Sequence, residues 1–232
     1  MFFNYTDEEI LEELDRLSES FDPEDQFLCE MAMLLEDEEH DNKDNGREGV
    51  KEGAGELAPK GHQWVYVFIV NAKEITTKVI RHFTKQPYNH SALSFDKSLT
   101  NMASFVFPSF KRENIHNYKP EATFSLYKIA VPNEVVLVMK DAVNNIEKAK
   151  KDYKYSVIGL LGFIDQRHQA KFNSRENAMF CSQFVARMFA TAGMPVFNRP
   201  DYTVKPYDFA KNKNFKFCYR GTVKNFDPNR IR

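Results

Sequence analysis

Cys181 is the residue of this sequence whose setting best suits nucleophilic chemistry. It opens the segment CSQFVARMF, in which the later apolar residues recur at the spacing of one helix face. A thiol at a helix N-terminus meets unpaired backbone N–H groups and the positive end of the helix dipole. Both lower the thiol pKa, and the thiolate is the reactive form of cysteine. The alternative is a small buried core residue, the setting of many free cysteines.

His90 is the candidate base for this thiol. It lies in the segment NHSALSF, for which we predict a strand with Ala92 and Ser94 on the face of His90. An imidazole facing the cysteine helix could accept the thiol proton and return it to a leaving amine or alcohol. The alternative is a capped or surface histidine. The remaining histidines lie in or next to the predicted linker or beside polar residues: His40, His62, His82, His116 and His168.

A third polar group commonly orients such a base and fixes its tautomer. Glu113, in the segment SFKRENI, is the first choice for this role. Asn114 and His116 lie close enough in sequence to compete with it. The alternative for Glu113 is an exposed carboxylate beside Lys111 and Arg112.

The elements that must position these residues are a mixture of strands and helices. The apolar run WVYVFIV predicts a buried strand at residues 64–70. Periodicity and turn residues predict further strands at 89–95, 102–107, 123–129 and 215–223, and helices at 74–83, 133–151 and 181–192. Residues 155–163 are a short apolar segment that fits either type, and residues 205–210 are predicted to be a loop or turn. We therefore predict an α+β fold.

Charge is divided unevenly along the chain. Residues 1–60 contain 20 Asp and Glu against 5 Lys and Arg, whereas the remaining residues contain 13 against 27. Helices are predicted at residues 6–19 and 23–35, followed by a flexible linker to residue 60. The predicted organisation is an acidic helical extension with linker, residues 1–60, and a folded domain, residues 61–232. We expect the extension either to gate the cleft of the basic domain or to dock a partner.

The cysteine count and the N-terminal sequence limit the cellular compartment and the metal or disulfide chemistry that can be expected. Cys29, Cys181 and Cys218 are too few and too scattered for a disulfide framework, and no pair has metal-ligand spacing. Neither a metal nor another cofactor is therefore predicted. The N-terminus has no basic flank or apolar run of signal-peptide length, and the longest apolar stretch is too short to span a bilayer. We expect a cytoplasmic protein.

Six segments, taken in order, resemble the circularly permuted papain-like amidases, the YiiX/YaeF-like branch of the NlpC-type superfamily. They are WVYVFIV, PYNHSALSFD, SFKRE, YKYSVIGLLGF, FCSQFVARMFATAG and KPYDF, and they span roughly residues 62–210. In this family the histidine strand precedes the cysteine helix, the reverse of the order in papain. The resemblance implies an antiparallel sheet packed against a cysteine-bearing helix.

The resemblance also implies roles for the candidate residues. By position, Cys181 corresponds to the family nucleophile and His90 to the family base. Many relatives supply the third polar residue from a Gly-Phe-x-x-Glu segment. Here that segment is SFKRE, in which Ser109 replaces the glycine and Glu113 keeps its place. The backbone N–H of Cys181 is implied to contribute to an oxyanion hole.

Neighbours of the pair are expected to line the substrate pocket or the oxyanion site. The residues in question are Tyr88, Asn89 and Ser182. The segment KPYDF resembles the family's segment after the cysteine helix, where Pro206 and Asp208 are expected to shape the rim of the cleft.

The predicted function is a cysteine hydrolase or amidase that acts by acyl transfer. Its scissile bond is expected to be an amide, isopeptide or acyl-ester bond of a cell-wall peptide or a lipid-like molecule. The basic balance after residue 60 favours an anionic or peptide-containing substrate, and contact with an anionic surface. It does not indicate specific nucleic acid binding, because the basic residues form no dense run. The alternative is a catalytically silent binding or accessory module, for example of a phage-like particle.

Overall fold

The structure, a computed structural model, describes residues 49–50, 56–71, 88–106, 108–156 and 177–231. The helices predicted at 6–19, 23–35 and 74–83 lie outside the described residues, as does most of the apolar segment 155–163.

Nine strands account for most of the regular structure in the described part of the chain. They are β1 Gly49–Val50, β2 His62–Val70, β3 His90–Ser94, β4 Met102–Val106, β5 Ser109–Glu113, β6 Thr123–Pro132, β7 Lys154–Tyr155, β8 Ala178–Met179 and β9 Lys216–Thr222. Seven of them form one antiparallel sheet in the order β1-β9-β6-β2-β3-β4-β5. The short strands β7 and β8 pair separately and in parallel.

The central strand β2 explains how the sheet divides the core. It pairs along its length with β6 and over its second half with β3, so both of its edges are covered. Val65, Val67 and Ile69 enter one hydrophobic cluster, whereas Tyr66 and Phe68 enter another on the opposite face. A continuous apolar run is what a strand buried on both faces requires.

Three α-helices lie in the described residues: α1 Asn133–Lys148, α2 Cys181–Thr191 and α3 Asp208–Lys211. The apolar face of α1 is buried in the cluster of Val65 and its neighbours. Helix α2 packs on β3, β4 and α1, and its Phe184 lies between the rings of Phe105 and Phe110, at centroid distances of 5.4 and 5.8 Å. This packing fixes the N-terminus of α2 over β3.

The α+β class and the antiparallel sheet predicted from the sequence are confirmed. The predicted helices at 133–151 and 181–192 are present and end at Lys148 and Thr191. Two local predictions need correction. The segment SFKRE forms the edge strand β5, for which no strand was predicted. The segment 205–210, predicted to be a loop or turn, runs into the short helix α3.

Ordered contacts with the sheet begin before residue 61, inside the predicted linker. Strand β1 pairs with β9, and Glu56 bridges two lysines, with oxygens 3.3 Å from Nζ of Lys128 and 2.7 Å from Nζ of Lys216. The indole N–H of Trp64 donates to the carbonyl of Glu56 at 2.8 Å. Lys128 is almost fully buried, and Trp64 and Glu56 compensate its charge. The described part of the chain contains no helix long and apolar enough to cross a membrane.

Candidate active site

Strand β3 and helix α2 bring His90 and Cys181 together. His90 opens β3, where it pairs with Val70 at the end of β2. Helix α2 begins at Cys181 because Phe180 is still extended while its carbonyl accepts the first helical hydrogen bond, from Phe184 N–H at 3.0 Å. A phenylalanine at the N-cap has no side-chain oxygen, so it cannot satisfy the N–H groups of the first turn. Cys181 is therefore the first residue of a helix whose N-terminal N–H groups have no side-chain cap.

Glu113 holds the imidazole of His90 from the side away from the thiol. Its Oε2 lies 2.8 Å from Nε2 of His90, and its Oε1 accepts a hydrogen bond from the hydroxyl of Tyr118 at 2.7 Å. His90 is 8% exposed and Glu113 is 4% exposed, so little water competes for these hydrogen bonds. With Nε2 directed to the carboxylate, the ring nitrogen left to interact with Cys181 is Nδ1.

The electrostatics favour an imidazolium–thiolate pair. Burial disfavours the charged imidazole, but the Glu113 carboxylate and the Cys181 sulfur outweigh it and hold the pKa of His90 well above its ordinary value. Burial also disfavours the thiolate. Hydrogen bonding and charge from His90, with donors of Ser91, nevertheless lower the pKa of Cys181 below its ordinary value. A buried cysteine whose thiolate is favoured is chemically different from a core thiol.

Cys218 shows that difference within the same molecule. Burial raises the pKa of the Cys218 thiol to about 12. Its Sγ lies 3.6 Å from the carbonyl of Lys216, an acceptor that favours the protonated thiol. The pKa values of the two buried cysteines in the described part of the chain are therefore shifted in opposite directions.

Ser91 is a member of the site that sequence reasoning missed. Its backbone N–H and its hydroxyl both favour the thiolate of Cys181. The hydroxyl is fully buried and is not hydrogen bonded to any described residue in this geometry, so a thiolate acceptor would satisfy it. The available clue was its position directly after His90, although the alternation of β3 places Ser91 on the strand face opposite to Ala92.

The three candidates for the third position differ in their contacts. Asn114 accepts a hydrogen bond from the backbone N–H of His116 at 3.0 Å and so caps the 3-10 turn Ile115–Asn117. His116 is exposed. Of these candidates, Glu113 is the one bonded to His90.

The three residues predicted to line the pocket or the oxyanion site each make a hydrogen bond within the fold. The Ser182 hydroxyl donates to the carbonyl of Val204 at 2.6 Å, which ties the start of α2 to the following loop. The side-chain amide of Asn89 donates to the Asn71 carbonyl oxygen at 3.3 Å. The hydroxyl of Tyr88 lies 2.6 Å from that of Ser125. All three predicted residues are buried, and each of these contacts holds a backbone segment next to Cys181 or His90.

The predicted rim segment is held by its own aspartate. Asp208 accepts a hydrogen bond from the backbone N–H of Lys205 at 2.8 Å and forms an ion pair with Arg199. Pro206, which lies between Lys205 and Asp208 in the sequence, is buried. These contacts fix the loop that enters α3.

Within the described ranges, no group of three or more His, Cys, Asp or Glu side chains could hold a metal ion. Compared with known proteins, the chain matches no protein-family model, and no curated protein matches it in sequence.

Proposed function

We propose that this protein is a cysteine hydrolase that acts by acyl transfer, with Cys181 as nucleophile, His90 as base and Glu113 as the residue that orients the base. The observation that carries the proposal is the buried hydrogen bond between Nε2 of His90 and Glu113, on an imidazole whose other side meets the thiol at the start of α2. Nucleophile, base and orienting group in this order are the recurring parts of covalent acyl transfer.

The first half of the reaction forms an acyl-enzyme. The Cys181 thiolate attacks the substrate carbonyl carbon, and the developing oxyanion is stabilised by N–H groups of the first turn of α2, that of Cys181 included. His90, which holds the thiol proton, donates it to the leaving amine or alcohol as the carbon–heteroatom bond breaks. The product is a thioester on Cys181 and a neutral imidazole.

The second half regenerates the thiol. His90 takes a proton from water, the resulting hydroxide attacks the thioester, and the acyl group leaves as a carboxylic acid. Glu113 contributes in both halves because it stabilises the imidazolium and keeps Nε2 protonated, so that Nδ1 does the proton transfer.

The fold order supports a permuted papain-like arrangement. The histidine strand β3 precedes the cysteine helix α2 in the chain, and an antiparallel sheet packs against that helix. For the substrate we propose an amide, isopeptide or ester with an anionic or peptide character, in keeping with the 27 basic and 13 acidic residues after residue 60.

The test is to trap the acyl-enzyme. Purified protein is mixed with p-nitrophenyl acetate, quenched in acid, digested and analysed by mass spectrometry. We expect one acetyl group on Cys181 and a burst of p-nitrophenol equal to the enzyme concentration, both absent in Cys181→Ser and unchanged in Cys218→Ser. A full burst retained in Cys181→Ser would show that another residue is the nucleophile and overturn the proposal, whereas acetylation of neither cysteine would favour a catalytically silent binding module.

A further inference from the structure

One row of paired residues crosses the sheet from Ser91, a neighbour of the candidate nucleophile, to an arginine. Ser91 of β3 pairs with Ile69 of β2, Ile69 pairs with Ser125 of β6, and Ser125 pairs with Arg220 of β9. Directly opposite residues of antiparallel strands point to the same face of a sheet. Ile69 belongs to the cluster that packs under α2, so Arg220 and Ser125 lie on the face that carries Cys181.

Arg220 is held in place by hydroxyl groups. Its Nε donates to Oγ of Ser125 at 3.1 Å, and the same Oγ lies 2.6 Å from the Tyr88 hydroxyl. Burial raises the pKa of Tyr127, while the charge and a hydrogen bond of Arg220 oppose that rise, so the guanidinium also meets this phenol. The ring of Tyr207 stacks on Tyr88 with a centroid distance of 5.9 Å.

Tyr88 and Tyr127 belong to the hydrophobic cluster beneath α2, but their hydroxyls, together with Ser125 and a cation, have the composition of an anion site. Ser125, Tyr88 and Tyr127 are buried, whereas Arg220 is only half-buried and so borders solvent. A guanidinium has five donors in a planar fork, which suits two carboxylate oxygens at once. One cation with neutral hydroxyls matches the single charge of a carboxylate better than the nearly double charge of a phosphate monoester.

We propose that Arg220, with the hydroxyls of Tyr88, Ser125 and Tyr127, binds a carboxylate of the substrate. The guanidinium is bonded over β6, two strands from β3, so this carboxylate lies about 10 Å from the reacting carbonyl carbon. The inference rests on the proposed function, because it places the carboxylate relative to Cys181. It names the substrate class as an acyl or peptidyl chain that ends in, or carries, a carboxylate at that distance.

An affinity alkylation tests the inference without knowledge of the scissile bond. The probe is 6-(2-chloroacetamido)hexanoic acid, whose carboxylate lies about 10 Å from the reacting carbon when extended. Its neutral control is the corresponding primary amide. In both, the thiolate forms an S–C bond as the C–Cl bond breaks and chloride leaves. The rate of alkylation of Cys181 is measured by peptide mass spectrometry.

We expect the acid to alkylate Cys181 about tenfold to a hundredfold faster than the amide at low ionic strength, as for a charged hydrogen-bonded pair. The ratio of the acid rate to the amide rate should fall to about one in Arg220→Met and be partly restored in Arg220→Lys. It should be unchanged in Arg230→Met, which removes the same charge from an exposed position. Because each ratio is taken within one variant, a general loss of folding does not mimic the result.

The outcomes separate the two proposals. The first outcome is that the amide alkylates Cys181 in a His90-dependent manner, but the ratio of acid to amide rates is near one or is unaffected by Arg220→Met. In that case the proposed carboxylate site is wrong and the proposed function stands. A phosphonate analogue that reacts faster than the acid would overturn the choice of carboxylate. If neither reagent favours Cys181 over Cys218, both proposals fall.

Discussion

At the residue scale, the site depends on where two protons are held. In the proposed mechanism, the carboxylate of Glu113 fixes one at Nε2 of His90, and proton transfer from the Cys181 thiol places the other at Nδ1. Both groups are buried, and an isolated buried charge would be unfavourable. The structure contains the compensating partners, since Tyr118 donates to Glu113 and Ser91 favours the thiolate.

Removing the charge of Glu113 should therefore damage catalysis more than folding. In Glu113→Gln, we expect kcat for an activated ester to fall about 100-fold or more, because the amide neither stabilises the imidazolium nor fixes its tautomer. The alkaline limb of the pH–rate profile should move to lower pH, because the carboxylate is one of the groups that raise the pKa of His90. Steady-state rates across pH check both expectations.

Glu147→Gln is the matched control. Glu147 is on α1, where it forms an ion pair with Arg112 of β5 rather than with His90. Equal loss of activity in the two variants, or an alkaline limb that stays in place in Glu113→Gln, would rule out the orienting role.

Sequence reasoning singled out Cys181, His90 and Glu113 but could not give their contacts. Cys181 and His90 stand out because a helix start and a strand start surround them with recognisable apolar patterns. Glu113 could only be a candidate, because its hydrogen bond to His90 depends on how β5 lies relative to β3. Local sequence patterns do not predict side-chain distances between strands of a sheet. Ser91 was missed because its side chain lies on the other face of β3 from Ala92, the residue that the predicted pattern grouped with His90.

At the element scale, the position of Cys181 depends on how firmly α2 packs. Phe184, one turn after Cys181, is fully buried between the aromatic rings of β4 and β5. The helix start therefore has a fixed distance from the strand that carries His90. Because protein cores are densely packed, the large side chain of Phe184 leaves α2 little room to shift.

Truncating this anchor should lower the stability of the whole domain. In Phe184→Ala we expect the free energy of unfolding to fall by about 3–5 kcal/mol, through lost burial and the cavity left behind. Urea unfolding measures the change. Leu137→Ala, at a residue of α1 that is 62% exposed, should change it by less than about 0.5 kcal/mol. A loss below about 1 kcal/mol at Phe184 would show that α2 is not anchored as described.

The elements themselves were predictable to different degrees. Strand β2 was found because residues buried on both faces leave an uninterrupted apolar run. Strand β5 was not, because an edge strand with the sequence SFKRE buries only Phe110 and Glu113 and shows no apolar run. Helix α3 has four residues, too few to show a helical period.

At the scale of the whole molecule, charge separates the N-terminal part from the rest. Residues 1–48 contain 18 Asp and Glu and 3 Lys and Arg, whereas the part after residue 60 is basic. The described chain shows one link between an upstream carboxylate and the sheet, from Glu56 to Lys128 and Lys216. A gating role for the acidic residues predicts that they compete with anionic substrates for the basic domain.

Deleting residues 1–48 tests this role and leaves strand β1 and Glu56 in place. We expect faster reaction of the truncated protein with a carboxylate-bearing chloroacetamide at low ionic strength, and a smaller difference at high salt, where exposed charges are screened. The neutral amide reagent is the control and should react equally with both forms. Equal rates with the acid at every salt concentration would exclude electrostatic gating.

The central claim is that His90 keeps Cys181 as a thiolate, and the pH dependence of alkylation tests it most directly. Iodoacetamide is reacted with the protein from acid to alkaline pH, and each cysteine peptide is followed by mass spectrometry. The account predicts that Cys181 titrates below the ordinary thiol range and that this pKa rises in His90→Gln. Cys218 should stay unreactive until strongly alkaline pH, in line with its pKa of about 12. A Cys181 that titrates at or above the ordinary thiol value, with the same profile in His90→Gln, would contradict the account.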